Sequence, residues 1–221
     1  MLIVLEGLDG AGKSTQIRLV REYIESQGKD LKYMHFPRYD GSVYGDLIAR
    51  FLRGEFGTIE NVHPQLVALL FAEDRHGASQ EIKEWLKNGS YVLLDRYVYS
   101  NIAYQCSKLK SKEEGDKLRE WILNTEYNIF NIPKPDINIF LDVPINFVDK
   151  KLKESRTGDE RDYLEGKADI HEADIRFQIS VREYYLQQTN MDKNFKRVDC
   201  SDSQGNMLPP QEIFSKIKTL L

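Results

Sequence analysis

Gly7-Leu8-Asp9-Gly10-Ala11-Gly12-Lys13-Ser14 sets glycines, a lysine and a hydroxyl at the spacing G-x-x-x-x-G-K-S. That spacing suits one task, the grip on a run of phosphates. Glycine accepts the dihedrals that turn successive backbone N–H groups inward, and such a nest of amides binds anions. A helix starting at about Lys13 adds its unsatisfied N–H groups and the positive end of its dipole. Lys13 reaches the β/γ oxygens as a point charge, the Ser14 hydroxyl coordinates Mg²⁺, and Thr15 ends the stretch. The flanks fit the motif. Leu2-Ile3-Val4-Leu5-Glu6 reads as a buried strand, and Ile17, Val20 and Ile24 recur at helical spacing after the loop. The motif alone specifies a nucleoside triphosphate and says nothing about an acceptor. Asp9 is out of keeping with it, because a carboxylate inside the loop repels a triphosphate.

The elements that must position these groups alternate between short apolar runs and helical patterns, which predicts a parallel sheet with helices on both faces. Strands are expected over Leu2–Glu6, Leu31–Phe36, Tyr91–Asp95, Ile137–Asp142 and Arg197–Asp199. Helices are expected over Lys13–Gln27, Val43–Arg53, Gln65–Asn88, Tyr97–Gln105, Lys112–Glu126, Ile145–Glu154, Asp169–Gln188 and Gln211–Leu221. Ligands of open parallel sheets sit at the carboxyl ends of the strands. The residues just past those ends are the glycine loop, Phe36-Pro37-Arg38-Tyr39, Asp95-Arg96-Tyr97, Asp142-Val143-Pro144 and Asp199-Cys200-Ser201. Arg38 and Arg96 are therefore expected to face the crevice that holds Lys13, with guanidinium forks suited to phosphate oxygens. The stretch from Glu154 to Asp169 packs Arg156, Asp159, Glu160, Arg161, Asp162 and Lys167 around two glycines. It is too polar to bury itself and reads as a lid over the phosphates.

Composition removes several classes. The 221 residues, 41% hydrophobic and 30% charged, suit one α/β domain with a real core. A net charge of −4 argues against a nucleic-acid surface, and no basic patch interleaved with aromatics appears. Glu6 interrupts the first apolar run, so no signal peptide is expected. The longest apolar stretch, Leu66 to Ala72, falls far short of the ~20 residues that cross a bilayer. Two cysteines, Cys106 and Cys200, make no disulfide framework and fit a reducing, cytoplasmic setting. The absence of an N-K-x-D sequence speaks against a GTPase.

Beyond the glycine loop, the ordered set Phe36-Pro37-Arg38-Tyr39, Leu70-Phe71-Ala72-Glu73-Asp74-Arg75, Leu94-Asp95-Arg96-Tyr97, Ser100-Asn101-Ile102-Ala103-Tyr104-Gln105, Pro133-Lys134-Pro135-Asp136 and Leu141-Asp142-Val143 resembles the thymidylate kinase family over nearly the whole chain. The resemblance implies a three-layer P-loop kinase fold with a five-stranded parallel sheet and a short lid at about 154–169. It implies ATP and dTMP as substrates, Mg²⁺ as cofactor and a homodimer. It gives Phe71 a stacking role on the thymine and Arg75 a hydrogen bond to a base carbonyl. Arg38, Tyr39 and Arg96 hold the acceptor phosphate side, and Asn101 and Gln105 meet the base edge. Tyr104 crowds the sugar 2′ position, and Asp9 engages the sugar hydroxyl and the metal site. Asp95 holds Mg²⁺ through water.

Two departures from the family pattern matter. Gly10 stands where some members carry a loop arginine, so the lid must supply the charge over the transferring group, with Arg156 preferred to Arg161. His171-Glu172 stands where the family often has tyrosine before glutamate, which leaves Glu172 as an aid to the metal. The Asp199-Cys200-Ser201 turn is expected near the adenine. Three other readings stay open: a kinase of free deoxynucleosides, a kinase of another pyrimidine monophosphate, and a nucleotide-gated interaction module without transfer activity.

Overall fold

The computed structural model describes residues 1–39, 42–154, 159–167, 169–172 and 174–221, with the backbone alone at 159–161. The most apolar segment takes the centre. In β1 (Leu2–Gly7) every residue is buried, and it pairs in parallel with both β3 (Tyr91–Asp95) and β4 (Ile137–Asp142). β2 (Leu31–His35) and β5 (Phe195–Asp199) complete a five-stranded parallel sheet in the order β2-β3-β1-β4-β5. Leu2, Ile3, Val4 and Leu5 are each at most 1% exposed, so burial of each contributes about 1.5–3 kcal/mol. With β3 and β4 on either side of β1, the loops leaving β1 and β3 emerge side by side, as required of a switch point.

Eight α-helices are present among the described residues. α1 (Lys13–Ser26) lies on β1, β2 and β3 with α8 (Pro210–Lys218) beside it. α3 (Pro64–Lys87), α4 (Val98–Cys106) and α7 (Ile175–Met191) form the other layer, with α5 (Lys112–Leu123) against α4. α2 (Val43–Leu52) packs on α3, and α6 (Ile145–Lys153) follows β4. Ser42 caps α2 by accepting from the Gly45 N–H at 2.9 Å. A side chain at Gly45 would meet the Arg38 carbonyl oxygen at 2.0 Å, so glycine is what lets α2 sit against the segment after β2. A second small core joins Ile48, Phe51 and Leu52 of α2 to Val67 of α3, with Tyr39, Phe71, Tyr163 and Ile170 packed on it. Among the described residues no helix is long and apolar enough to cross a membrane.

Most element ends fall within one to three residues of the sequence expectation, and the larger departures have physical reasons. The helix expected to run to Glu126 stops at Leu123 and widens into a π-helical turn, Asn124–Ile129. The helix expected from Asp169 begins at Ile175, because Asp169 and Asp174 spend their carboxylates on the His171 and Arg176 N–H groups; such local bonds compete with helix. The charged stretch read as a lid is anchored over its second half. It forms a 3-10 helix, Asp159–Leu164, in which Leu164 is 3% exposed. Arg53 donates to the Tyr163 carbonyl at 2.8 Å, and the Ile170 N–H reaches Leu52 O at 3.0 Å.

Candidate active site

The glycine loop is built as the sequence requires. Gly10 and Gly12 lie at φ 74° and 76°, and Gly12 caps α1 with no side-chain partner. The first-turn N–H groups of α1 thus open into a cleft lined by residues 9–16, Asp95, Arg96 and Glu172. Gly7 and Leu8 lie behind the loop. Leu8 is 1% exposed, and its carbonyl accepts from Lys13 Nζ at 3.3 Å. Burial pushes the Lys13 pKa down, and the charge of Arg96 adds to this against Asp95 and Asp9. Phe147, Lys151, Met207, Leu208, Pro209, Pro210 and Ile213 also line this cleft. The Asp199-Cys200-Ser201 turn expected there is one layer back. Cys200 is fully buried and its carbonyl accepts from the Leu208 N–H at 2.8 Å, so the turn supports the residues that line the cleft.

A second cavity opens beside the loop between α2, α3 and α4. Asp9, Pro37, Tyr39, Arg96 and Tyr163 line both. Arg96 sits in the left-handed region at φ 66°, a conformation that costs a non-glycine residue energy and persists only when neighbours hold it. Glu6 does so. Its fully buried carboxylate accepts from the Tyr97 N–H at 3.0 Å, the Ser100 N–H at 3.2 Å, the Ser100 hydroxyl, and the Tyr185 hydroxyl at 3.1 Å. Arg96 then reaches Asp9 Oδ1 with one amino group at 2.6 Å and Ser100 Oγ with the other at 3.2 Å. Tyr104 donates to Asp9 Oδ2 at 2.7 Å, and Gln178 Nε2 donates to the same oxygen at 3.2 Å. Burial raises the Asp9 pKa, but Arg96 and Lys13 outweigh it and hold the carboxyl far below the usual range. Asp9 therefore enters the loop as the counter-charge of Arg96.

The inner end of this cavity carries Phe71, Arg75, Asn101, Tyr104 and Gln105. Arg75 is 2% exposed and forks onto Glu126, with Nε and one amino group at 2.5 and 2.7 Å from its oxygens. Asn101 Nδ2 donates to Glu126 Oε1 and to Ala68 O, both at 3.0 Å, while Asn101 Oδ1 is buried with no partner among the described residues. Lys108 Nζ lies 2.7 Å from Gln105 Oε1 and 4.7 Å from the Phe51 ring centroid. Burial brings the Lys108 pKa down to about 7. Asp169 moves the other way: burial, then the charges of Asp9 and Glu172, push it up to about 7.

The structure brings together the loop residues 9–15 with Arg96, Asp95, Glu172, Tyr39, Phe71, Arg75, Asn101, Tyr104 and Gln105. Arg38 is placed differently from expectation. Its Nε pairs with Asp74 Oδ1 at 3.0 Å, an amino group reaches Asp74 O at 2.6 Å, and the side chain lines neither cavity. Arg156 and the Arg161 side chain lie outside the described residues. Sequence reasoning missed Tyr163, which stacks on Tyr39 with ring centroids 3.9 Å apart and donates to Asp169 at 2.8 Å. It also missed Glu126, which carried no signal beyond its place near a helix end, and Lys151.

The thymidylate kinase family model matches residues 5–208. A thymidylate kinase from Mycobacterium tuberculosis is 36% identical, over 78% of this chain and 81% of that protein. A probable thymidylate kinase from Thermococcus kodakarensis is 33% identical, over 100% of this chain and 98% of its own. Among solved structures, the thymidylate kinase of Candida albicans is similar with a TM-score of 0.73 at 26% identity, covering 99% of this chain and 89% of that one.

Proposed function

The chain belongs to the thymidylate kinase family and phosphorylates dTMP with ATP as donor, and from that premise we propose that the loop cleft holds the ATP phosphates and the side cavity holds dTMP. The observation that carries this assignment is the shared wall, in which Asp9 and Arg96 line both spaces and bond to each other. Phosphoryl transfer asks little covalent work of a protein; it needs two anions aligned and the charge between them neutralised. Residues Gly7 to Thr15 hold the donor, with Lys13 on its β/γ oxygens. Arg96 holds the acceptor phosphate. Arg38 is tied to Asp74 and is secondary to it. Phe71 stacks on the base, Arg75, Asn101 and Gln105 meet its edge, and Tyr104 crowds the 2′ position.

Mg²⁺ fits the residues present. Asp95 Oδ1 is a buried carboxylate oxygen with no protein partner among the described residues, and it lines the cleft with Ser14. A hydroxyl, a carboxylate behind water and the phosphates themselves form the kind of oxygen shell this ion takes. When bound, the ion neutralises charge on the phosphate oxygens. Both Asp9 oxygens are already engaged by Arg96, Tyr104 and Gln178, which supports Asp9 as the holder of Arg96 and Tyr104 rather than a direct ligand. Glu172 is the assisting carboxylate. Residues 154–169 close over the donor and bring Arg156, or failing it Arg161, to the transferring group. The chain works as one domain in the cytoplasm and as a homodimer, for which the exposed Val43, Leu66 and Ile129 offer apolar surface.

The test is an ATP-dependent screen of nucleoside monophosphates with ADP release as the signal. dTMP is the expected acceptor, and thymidine is expected to be inert. Turnover of thymidine alone would favour a deoxynucleoside kinase, and silence with every monophosphate would leave an interaction module.

A further inference from the structure

Two side-chain amides at the inner end of the acceptor cavity are each locked in one orientation by a charged neighbour. Asn101 turns its NH₂ toward Glu126 Oε1 and Ala68 O. Rotating that amide would set its oxygen against a carboxylate and a carbonyl. Gln105 turns its oxygen toward Lys108 Nζ, and rotation would set NH₂ against an ammonium, which has donors only. What remains for a ligand is then fixed. Asn101 Oδ1, buried and without a partner among the described residues, presents an acceptor. Gln105 is 1% exposed and lines the cavity, and its free amide group is a donor. Glu126 reaches this position from the π-helical turn Asn124–Ile129, a local widening often found at functional sites. It is fully buried, and the same carboxylate anchors Arg75.

We propose that Glu126 and Lys108 are specificity-determining positioning residues: by fixing the Asn101 and Gln105 amides, they make the cavity accept a 4-oxo pyrimidine and reject a 4-amino one. A 4-oxo pyrimidine supplies the ring N3–H that Asn101 Oδ1 requires, and beside it a C4 carbonyl for the Gln105 donor; the C2 carbonyl is common to both bases and does not discriminate. A 4-amino pyrimidine presents a lone pair at N3, opposite another lone pair, and a donor where the pocket already donates. A site built to pair a polar edge rejects a mismatch because its own buried groups are left unpaired. The inference rests on the assignment of the side cavity to dTMP.

The experiment measures kcat/KM for dTMP and for dCMP at pH 6, on the acid side of the lowered Lys108 pKa, in the wild type and in the Glu126→Gln, Lys108→Met and Lys108→Arg variants. The wild type is expected to favour dTMP strongly. Lys108→Met and Glu126→Gln each lower that preference about tenfold, chiefly through KM, and Lys108→Arg, still a pure donor, keeps it within about twofold. Glu126→Gln also removes the counter-charge of Arg75, so its folding is checked by circular dichroism, and Lys108→Met carries the test without it. Parallel losses for dTMP and dCMP, with their ratio unchanged in folded Lys108→Met, would show a merely structural role and overturn the proposal. A wild type that turns over both nucleotides equally would also overturn it while leaving the kinase activity in place. A wild type inactive on dTMP would instead bring down the reading of the cavity itself.

Discussion

At the scale of single residues, the site is a set of charges held by one another. Asp9 neutralises Arg96, Glu6 holds the strained backbone of Arg96, and burial, helped by the charges of Asp9 and Glu172, makes Asp169 resist ionisation. Because the folded-state pKa of Asp169 is raised above its usual value, its neutral form contributes stability that is fully present below pH ~4 and is lost as pH rises through about 7. Thermal melts across that window should show the wild type losing stability relative to Asp169→Asn, with no further relative change above it. Parallel melting curves at every pH would contradict the buried, acid-stabilised carboxyl. The types and spacing of Lys13 and Arg96 marked them in the sequence, since each follows a predicted strand on the phosphate-binding rim, whereas Phe71 and Asn101 were marked by the family resemblance. Glu126, Lys108 and Tyr163 were not marked. Their roles come from contacts across 51, 3 and 6 residues to Arg75, Gln105 and Asp169, and only the folded chain reveals which of such neighbours meet.

At the scale of elements, strand registers followed the apolar runs closely, because a buried parallel strand leaves little freedom in where apolar residues go. β3 and β4 have the expected ends. Helix ends were less legible where side chains compete for backbone groups, as at Asp169 and Asp174, or where packing favours a π turn over continued helix, as at Asn124. The 154–169 stretch was legible as a charged excursion, but not the way Tyr163 clasps Tyr39 and ties its second half to α2. If its arginine serves the transferring group, Arg156→Ala should lower kcat by about two to three decades with little change in dTMP affinity. Steady-state kinetics with kcat intact would remove Arg156 from the mechanism.

At the scale of the whole molecule, function follows from topology. With β1 between β3 and β4, the glycine loop and the Arg96 turn leave neighbouring strand ends, and α2, α3 and α4 wall off the side cavity beside them. The alternation of strands and helices made that architecture readable. The meeting of the two cavities at Asp9 and Arg96 was not readable, because it depends on which side chains line both. That meeting is the central claim, and a compound joining adenosine to thymidine through a chain of 5′-phosphates tests it directly. Inhibition competitive with both ATP and dTMP, with affinity above that of either nucleotide alone, is the predicted result. Competition with only one of them, at an affinity no better than that nucleotide's own, would mean that the two sites do not meet at Asp9 and Arg96.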